Sequence, residues 1–240
     1  MSALSGDAIR AAMHLPELDW RLVITPLLER EDQIQDASVD MRLGTEFLVP
    51  TRSDVSLLDP HRDEHAAEVA KIFRPFHVAL GKTFVLHPKQ FVLGCTLEYV
   101  RFPSNLMGYL EGRSSWGRHG LQIATATVVS PGFAGVLTFE ITNVGEVPMH
   151  LRAGTRIAQL VIHTVEGVDK PSPRKPRSQF RIPTGPEIAK FEADPDRRML
   201  QAYLELDGPE PLDADTSDDA ALDGAEAPEA GDEDDTSQSA

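Results

Sequence analysis

Residues 112–143 concentrate two arginines, the Ser114-Ser115 pair and one carboxylate in a segment otherwise rich in Gly, Thr and apolar residues. Arg113 and Arg118 bracket Ser114, Ser115, Trp116 and Gly117. A guanidinium is a planar, permanently charged fork, suited to phosphate oxygens or to a pyrimidine edge. The two hydroxyls add small donors, and Gly112, Gly117 and Gly120 let backbone come close to a ligand. Glu140 is the lone acid in the strand-like run Leu137–Asn143. An isolated carboxyl among apolar neighbours is where a raised pKa and proton transfer are expected. The bland readings are a polar turn for Arg-Ser-Ser and a solvent-facing acid for Glu140.

Short runs rich in Val, Leu, Thr and Phe must hold these groups in place. They recur at 83–87, 90–98, 105–111, 121–129, 136–142, 147–151 and 156–163, punctuated by Gly, Pro and Asn. That spacing predicts a compact all-β barrel or sandwich. Upstream, Ser5-Gly6-Asp7 before Ala8–Met13 predicts a short capped helix. Residues 36–49 read as one strand with a glycine interruption, and 59–75 as a His-rich loop with a short helix. Residues 167–186 hold five prolines amid a run of bases and read as an extended arm. Residues 187–206 read as a helix broken at Pro195. The division is a helical segment 1–35, a β domain 36–166, an arm and helix 167–206, and a tail 207–240.

The net charge of −15 belongs to that tail. Residues 207–240 carry thirteen acids and no Lys or Arg, which leaves 25 acids against 23 bases in residues 1–206. The tail composition cannot bury a core and predicts disorder. A near-neutral body argues against a nucleic-acid partner, which needs a basic excess. No apolar run approaches the roughly 20 residues that span a bilayer, so no membrane partner is expected. No secretory signal follows Met1, and Cys95 is the only cysteine, so no intrachain disulfide forms. A reducing, cytoplasmic setting is the simplest expectation.

Five fragments occur in a telling order. They are Ser38-Val-Asp-Met-Arg-Leu-Gly44; Gly112-Arg-Ser-Ser115 with Gly117-Arg-His-Gly120; Thr125-Ala126 followed by Pro131-Gly132-Phe133; Phe139-Glu140 with Asn143; and Gly154-Thr-Arg-Ile-Ala-Gln-Leu160. Together, over residues 36–163, they resemble the dCTP deaminase branch of the dUTPase-like superfamily. The resemblance implies a mainly β fold, a distorted barrel of jelly-roll type with short helices. It also implies a homotrimer with sites between subunits. Arg118 and the in-strand Glu140 favour the deaminase over the dUTPases, as does the absence of a C-terminal Gly-rich phosphate motif.

The implied reaction replaces the 4-amino group of a cytosine deoxynucleotide by oxygen. Most nucleobase deaminases activate the water with zinc held by His or Cys and a Cys-x-x-Cys pair. A chain with one cysteine cannot build that cage. In the zinc-free route that the resemblance implies, Glu140 takes the proton from water and passes it to the ring and leaving group. Ser114, Arg118 and the backbone near Thr125 and Ala126 hold the water and polarise the ring. Arg113 and Ser115 bind phosphate oxygens, with Mg²⁺ carried by the triphosphate. Trp116, Gly117, Ser130, Thr138 and Phe139 complete the expected substrate wall. Asp40 reads as structural, Arg156 and Gln159 as holding barrel and trimer together, and His119 as a packed or surface histidine.

Three departures from the family pattern stand out. Ser130 stands where an Asp precedes Pro-Gly, an acid that lies near the sugar and orients water in the dUTPases. The arm offers Gln179-Phe180 and Pro183 where the family has Lys-Tyr and a later Gln, with Lys175, Arg177 and Arg181 nearby. Trp116 and His119 replace smaller or aliphatic residues. The readings that remain are a dCTP deaminase, a dUTP diphosphohydrolase or bifunctional enzyme forming dUMP, and a non-catalytic trimer that binds nucleotide or protein.

Overall fold

The computed structural model describes residues 2–124, 128–168, 182–191 and 195–207. Its elements are α1 (Gly6–Met13), β1 (Val23–Thr25), α2 (Arg30–Gln33), β2 (Val39–Arg42), β3 (Glu46–Pro50), α3 (His65–Ile72), β4 (Phe73–His77), β5 (Thr83–Leu86), β6 (Phe91–Arg101), β7 (Leu106–Gly112), α4 (Ser114–Gly117), β8 (Leu121–Ile123), β9 (Val128–Val129), β10 (Ala134–Asn143), β11 (Met149–Arg152), β12 (Arg156–Thr164) and α5 (Pro195–Asp207). The protein is mainly β. Among the described residues the strands form three sheets instead of one closed ladder. One runs β4-β3-β6-β10-β8 with β1 also on β6, one runs β2-β12-β7-β9, and β11 pairs β5. The named pairings are antiparallel.

A shared core lies under these sheets, with Phe47, Phe102, Phe139, Leu110, Ile141 and Ile157 among its fully buried side chains. Phe47 of β3 stacks on Phe84 of β5 at 5.0 Å between centroids, tying the two-stranded sheet to the largest one. Strand β10 shows how the sequence sets the faces. Residues 135, 137, 139, 141 and 143 are buried and the alternate ones half-buried, as a two-residue period requires.

The pairing of β6 with β10 slips where Val136 faces Tyr99 but Thr138 faces Cys95. Three residues of β6 therefore oppose one of β10, a bulge. The Thr96 hydroxyl fills it, accepting from Leu137 N at 2.9 Å and donating to the Glu98 carbonyl at 2.6 Å.

Several expectations change in the structure. The run 36–49 is two strands in different sheets, β2 and β3, parted at Gly44, whose N–H donates to the Cys95 carbonyl. The run 121–129 likewise divides into β8 and β9. The N-terminal segment is not purely helical, because β1 joins β6. Pro195 opens α5 instead of interrupting a helix, since its missing N–H costs nothing in a first turn. Residues 182–191 lie outside any helix or strand. The cap of α1 is as expected: the Ser5 hydroxyl accepts from Ala8 N at 3.3 Å. Among the described residues no helix is long and apolar enough to cross a membrane.

Candidate functional site

Strand β7 delivers the Arg-Ser-Ser segment. Its ladder with β12 continues one residue past β7 itself, where Arg113 N donates to the Ile157 carbonyl at 2.9 Å. Arg113 stays extended and caps a single helical turn. The N–H groups of Trp116 and Gly117 reach back to its carbonyl, and Arg118 N to that of Ser114. Trp116 packs against the core edge and donates Nε1–H to the Arg156 carbonyl at 3.0 Å, which pins α4 onto β12. Gly120 then turns the chain into β8 at φ 88, where a Cβ would lie 2.9 Å from Gly145 N. Ser114, Ser115, Gly117 and Arg118 are exposed, and Arg113 is half-buried. His119 is exposed, with Nδ1 2.7 Å from the Ser115 carbonyl.

Beneath Arg113 lies Asp40 of β2, whose side chain is 1 % exposed. Its carboxylate stands 3.7 Å from Arg113 Nε and 3.4 Å from an Arg156 nitrogen, and accepts from Gln159 Nε2 at 3.3 Å. A carboxylate taken out of water needs charge and hydrogen bonds around it. Two guanidinium groups and an amide supply them here. The sequence reading of Asp40 as structural matches this placement. Arg156 and Gln159, expected to hold barrel and trimer together, act on Asp40 itself.

Glu140 occupies the outward face of β10 with Thr138 and Thr142. It lies opposite Leu93 of β6, and its carbonyl accepts from Ala124 N at 2.9 Å. Burial raises its carboxyl above the ordinary carboxylate range. Among the described residues no cation or hydrogen-bond donor meets that carboxyl. Thr138 is half-buried, and its hydroxyl accepts from Glu187 N at 3.3 Å. Val136 N donates to the Pro183 carbonyl at 2.8 Å, so residues 183–187 lie along β10. A Cβ at Gly135 would run into Pro183.

The other expected site residues fall out differently. Phe139 has no exposed surface and belongs to the core, so its ring cannot line a ligand pocket; alternation along β10 turns it inward. Ser130 is exposed, in a turn closed by Phe133 N on its carbonyl. Thr125 and Ala126 lie outside the described residues, as do Lys175, Arg177, Gln179, Phe180, Arg181 and the tail beyond 207. The structure gathers Arg113, Asp40, Arg156 and Gln159 into one cluster and sets Glu140 beside Thr138 and residues 183–187. No hydrogen bond or ion pair among the described residues joins α4 to Glu140.

One buried acid escaped the sequence reading. Glu98 has no exposed surface. It accepts from Arg42 N at 2.9 Å and from Gln33 Nε2 at 2.6 Å, and burial pushes its pKa up to about 7. The available signal was an acid at an inward position between Thr96 and Val100. Cys95, buried on the same strand, has its thiol pushed up to about 12 by burial, which keeps it protonated near neutral pH. Among the described residues no group of three or more His, Cys, Asp or Glu gathers as a metal cage.

Comparison with known proteins gives a consistent result. A family model described as dCTP deaminase-like matches residues 3–165. A protein of Natronomonas pharaonis named dCTP deaminase is 39% identical over 175 residues, 72% of this chain and 88% of its own length. A protein of Methanobrevibacter smithii named dCTP deaminase, dUMP-forming, is 40% identical over 166 residues, 69% of this chain and 81% of its own. In fold, the chain is similar to the crystal structure of the dCTP deaminase from Agrobacterium tumefaciens. The TM-score is 0.51 at 22% identity, over 68% of this chain and 48% of that one.

Proposed function

Because the chain belongs to the dCTP deaminase-like family, we propose that it hydrolyses dCTP, or a related cytosine deoxynucleotide, to dUTP and ammonia. The observation that carries this reading is Glu140, a half-buried carboxyl raised by desolvation and facing away from the core. In its ionised form it takes a proton from water, and the oxygen adds to C4 of the cytosine. The carboxyl passes that proton to the ring nitrogen N3, which keeps it, then takes the remaining proton from the C4 hydroxyl of the adduct and hands it to the departing amine. The C4–N bond breaks, ammonia leaves and a carbonyl remains. A base whose pKa approaches the working pH serves both steps.

Ser114 and Arg118 hold the water and polarise the ring, and the backbone at Thr125 and Ala126 shares that role. Arg113 and Ser115 take phosphate oxygens, with Mg²⁺ brought in on the triphosphate. Trp116, Gly117, Ser130 and Thr138 form the wall, and Phe139 contributes backbone alone. The working unit is a homotrimer. The exposed face of α4 and the outward face of β10 are unlinked within one chain, and a site between copies unites them. Sedimentation of the purified protein tests the trimer: a monomeric mass at assay concentration refutes it.

Curated relatives at nearly equal identity carry both product names, dCTP deaminase and the dUMP-forming kind. That supports a second reading, in which the site also splits the triphosphate to dUMP and pyrophosphate. Ser130, where the family carries an acid, weighs against it. Incubation with dCTP, following ammonia and pyrophosphate separately, decides. Ammonia alone supports the first reading and both products the second. Neither product, with nucleotide still bound, overturns both in favour of a non-catalytic binder.

A further inference from the structure

Residues 183–187 lie across the outward face of the largest sheet. The Pro183 carbonyl accepts from Val136 N of β10, Gly185 comes beside Glu46 of β3, and Glu187 N donates to the Thr138 hydroxyl of β10. Strand β6 lies between β3 and β10, so the segment spans it. Thr138 is the neighbour of Glu140 on that face. Its oxygen accepts the Glu187 N–H at 3.3 Å, and among the described residues no acceptor takes its own proton. The segment therefore makes that hydroxyl a donor beside Glu140.

Two hydrogen bonds without a regular ladder are a weak hold, and such segments open locally. A firmer anchor lies further along the chain. The Phe191 ring packs edge-on against His65 of α3, with 5.3 Å between centroids. His65 is buried, and among the described residues neither of its ring nitrogens has a hydrogen-bond partner, so it meets Phe191 as a ring alone. Arg197 is 7 % exposed. It donates to the Asp63 carboxylate at 2.7 Å and to the His61 carbonyl at 3.2 Å, on the approach to α3. A guanidinium taken out of water and held through two nitrogens fixes the chain around it. Arg197 lies beyond residues 3–165, so this anchor is outside the span that the family model matches.

We propose that Arg197 is a positioning residue. Its grip on residues 61–63, with Phe191 on His65, holds residues 183–187 against β10 and thereby sets the Thr138 hydroxyl as a donor to the substrate. The step from hydroxyl to substrate rests on the function proposed above; the grip itself does not.

Amide hydrogen exchange of the full chain reads the grip without any turnover. Arg197→Ala should speed exchange at Val136 and Glu187 about tenfold, with Leu160 of β12 unchanged. Asp63→Asn removes the ion pair from its exposed side and should speed the same two amides about threefold. Arg197→Lys should restore part of the protection. In steady-state assays with dCTP, Arg197→Ala should raise KM about tenfold while kcat holds. In a Thr138→Val background the same substitution should add little to KM, because the hydroxyl it orients is gone. Unchanged exchange at Val136 and Glu187 in both folded Arg197→Ala and Asp63→Asn overturns the proposal. Faster exchange with an unchanged KM overturns the positioning role. A chain that releases no ammonia, yet loosens at both amides without Arg197, keeps the grip and loses the proposed reaction.

Discussion

Asp40 lies buried beneath Arg113, its carboxylate 3.7 Å from the guanidinium Nε, so the arginine proposed to meet the nucleotide is held from below by a buried acid. The same acid binds Arg156 and Gln159. Asp40→Asn should therefore act on stability and affinity together. Losing the charge leaves two guanidinium groups short of a partner, at about 1–3 kcal/mol. Thermal unfolding should show the loss, and nucleotide KM should rise. An unchanged melting temperature together with an unchanged KM would remove Asp40 from this role.

Glu140→Gln keeps the size of the side chain and removes its proton chemistry. Deamination should fall by at least about a hundredfold, with the circular dichroism spectrum and oligomeric mass unchanged. Near-normal ammonia release by this variant contradicts the proposed base.

The pH profile gives an independent check on Glu140. The base must be ionised, and burial raises its pKa. The acid limb of kcat/KM should thus lie above the pH at which an ordinary glutamate titrates. A limb at the ordinary position points to a different base.

Glu98 makes a prediction about stability instead of rate. Its pKa rises from an ordinary 4.5 to about 7 on folding. The folded state holds this proton more tightly than the unfolded one, so the contribution is complete below pH 4.5 and is lost as pH climbs through 7. Spread over that window it amounts to about 3 kcal/mol. Urea midpoints measured from pH 4.5 to 8 should show a downward slope from this group that Glu98→Gln abolishes. The same slope in the variant assigns it to other groups.

Gly120→Ala tests the turn that hands α4 to β8. The residue has φ 88, and a Cβ would meet the backbone of Gly145. A cost of about 1–3 kcal/mol is expected. Wild-type stability in Gly120→Ala would show that the turn relaxes freely.

Much of the β architecture was legible because alternation is local: β10 buries its odd-numbered residues as the pattern from 136 to 142 foretold. The ordered fragments singled out Arg113 and Glu140 as candidates by resemblance. Whatever depends on distant partners was not legible. Gly44 separates two sheets because both find other strands to pair with, a fact absent from residues 36–49. Glu98 lies inward by simple alternation, but the groups that hold it there, Arg42 and Gln33, come from distant elements. Phe139 was expected at the ligand through its neighbour Glu140, although adjacent strand residues face opposite ways. Pro195 looked like an interruption because apolar residues flank it on both sides, yet the helix forms only after it.

Cys95 gives the molecule a built-in clock. The thiol is the only one in the sequence, sits in the middle strand of the largest sheet and resists ionisation. A thiol-reactive dye reaches it only when β6 parts from a neighbour. Its rate of labelling therefore counts how often that sheet opens, and a bound nucleotide that clamps β10 against β6 would register as slower modification.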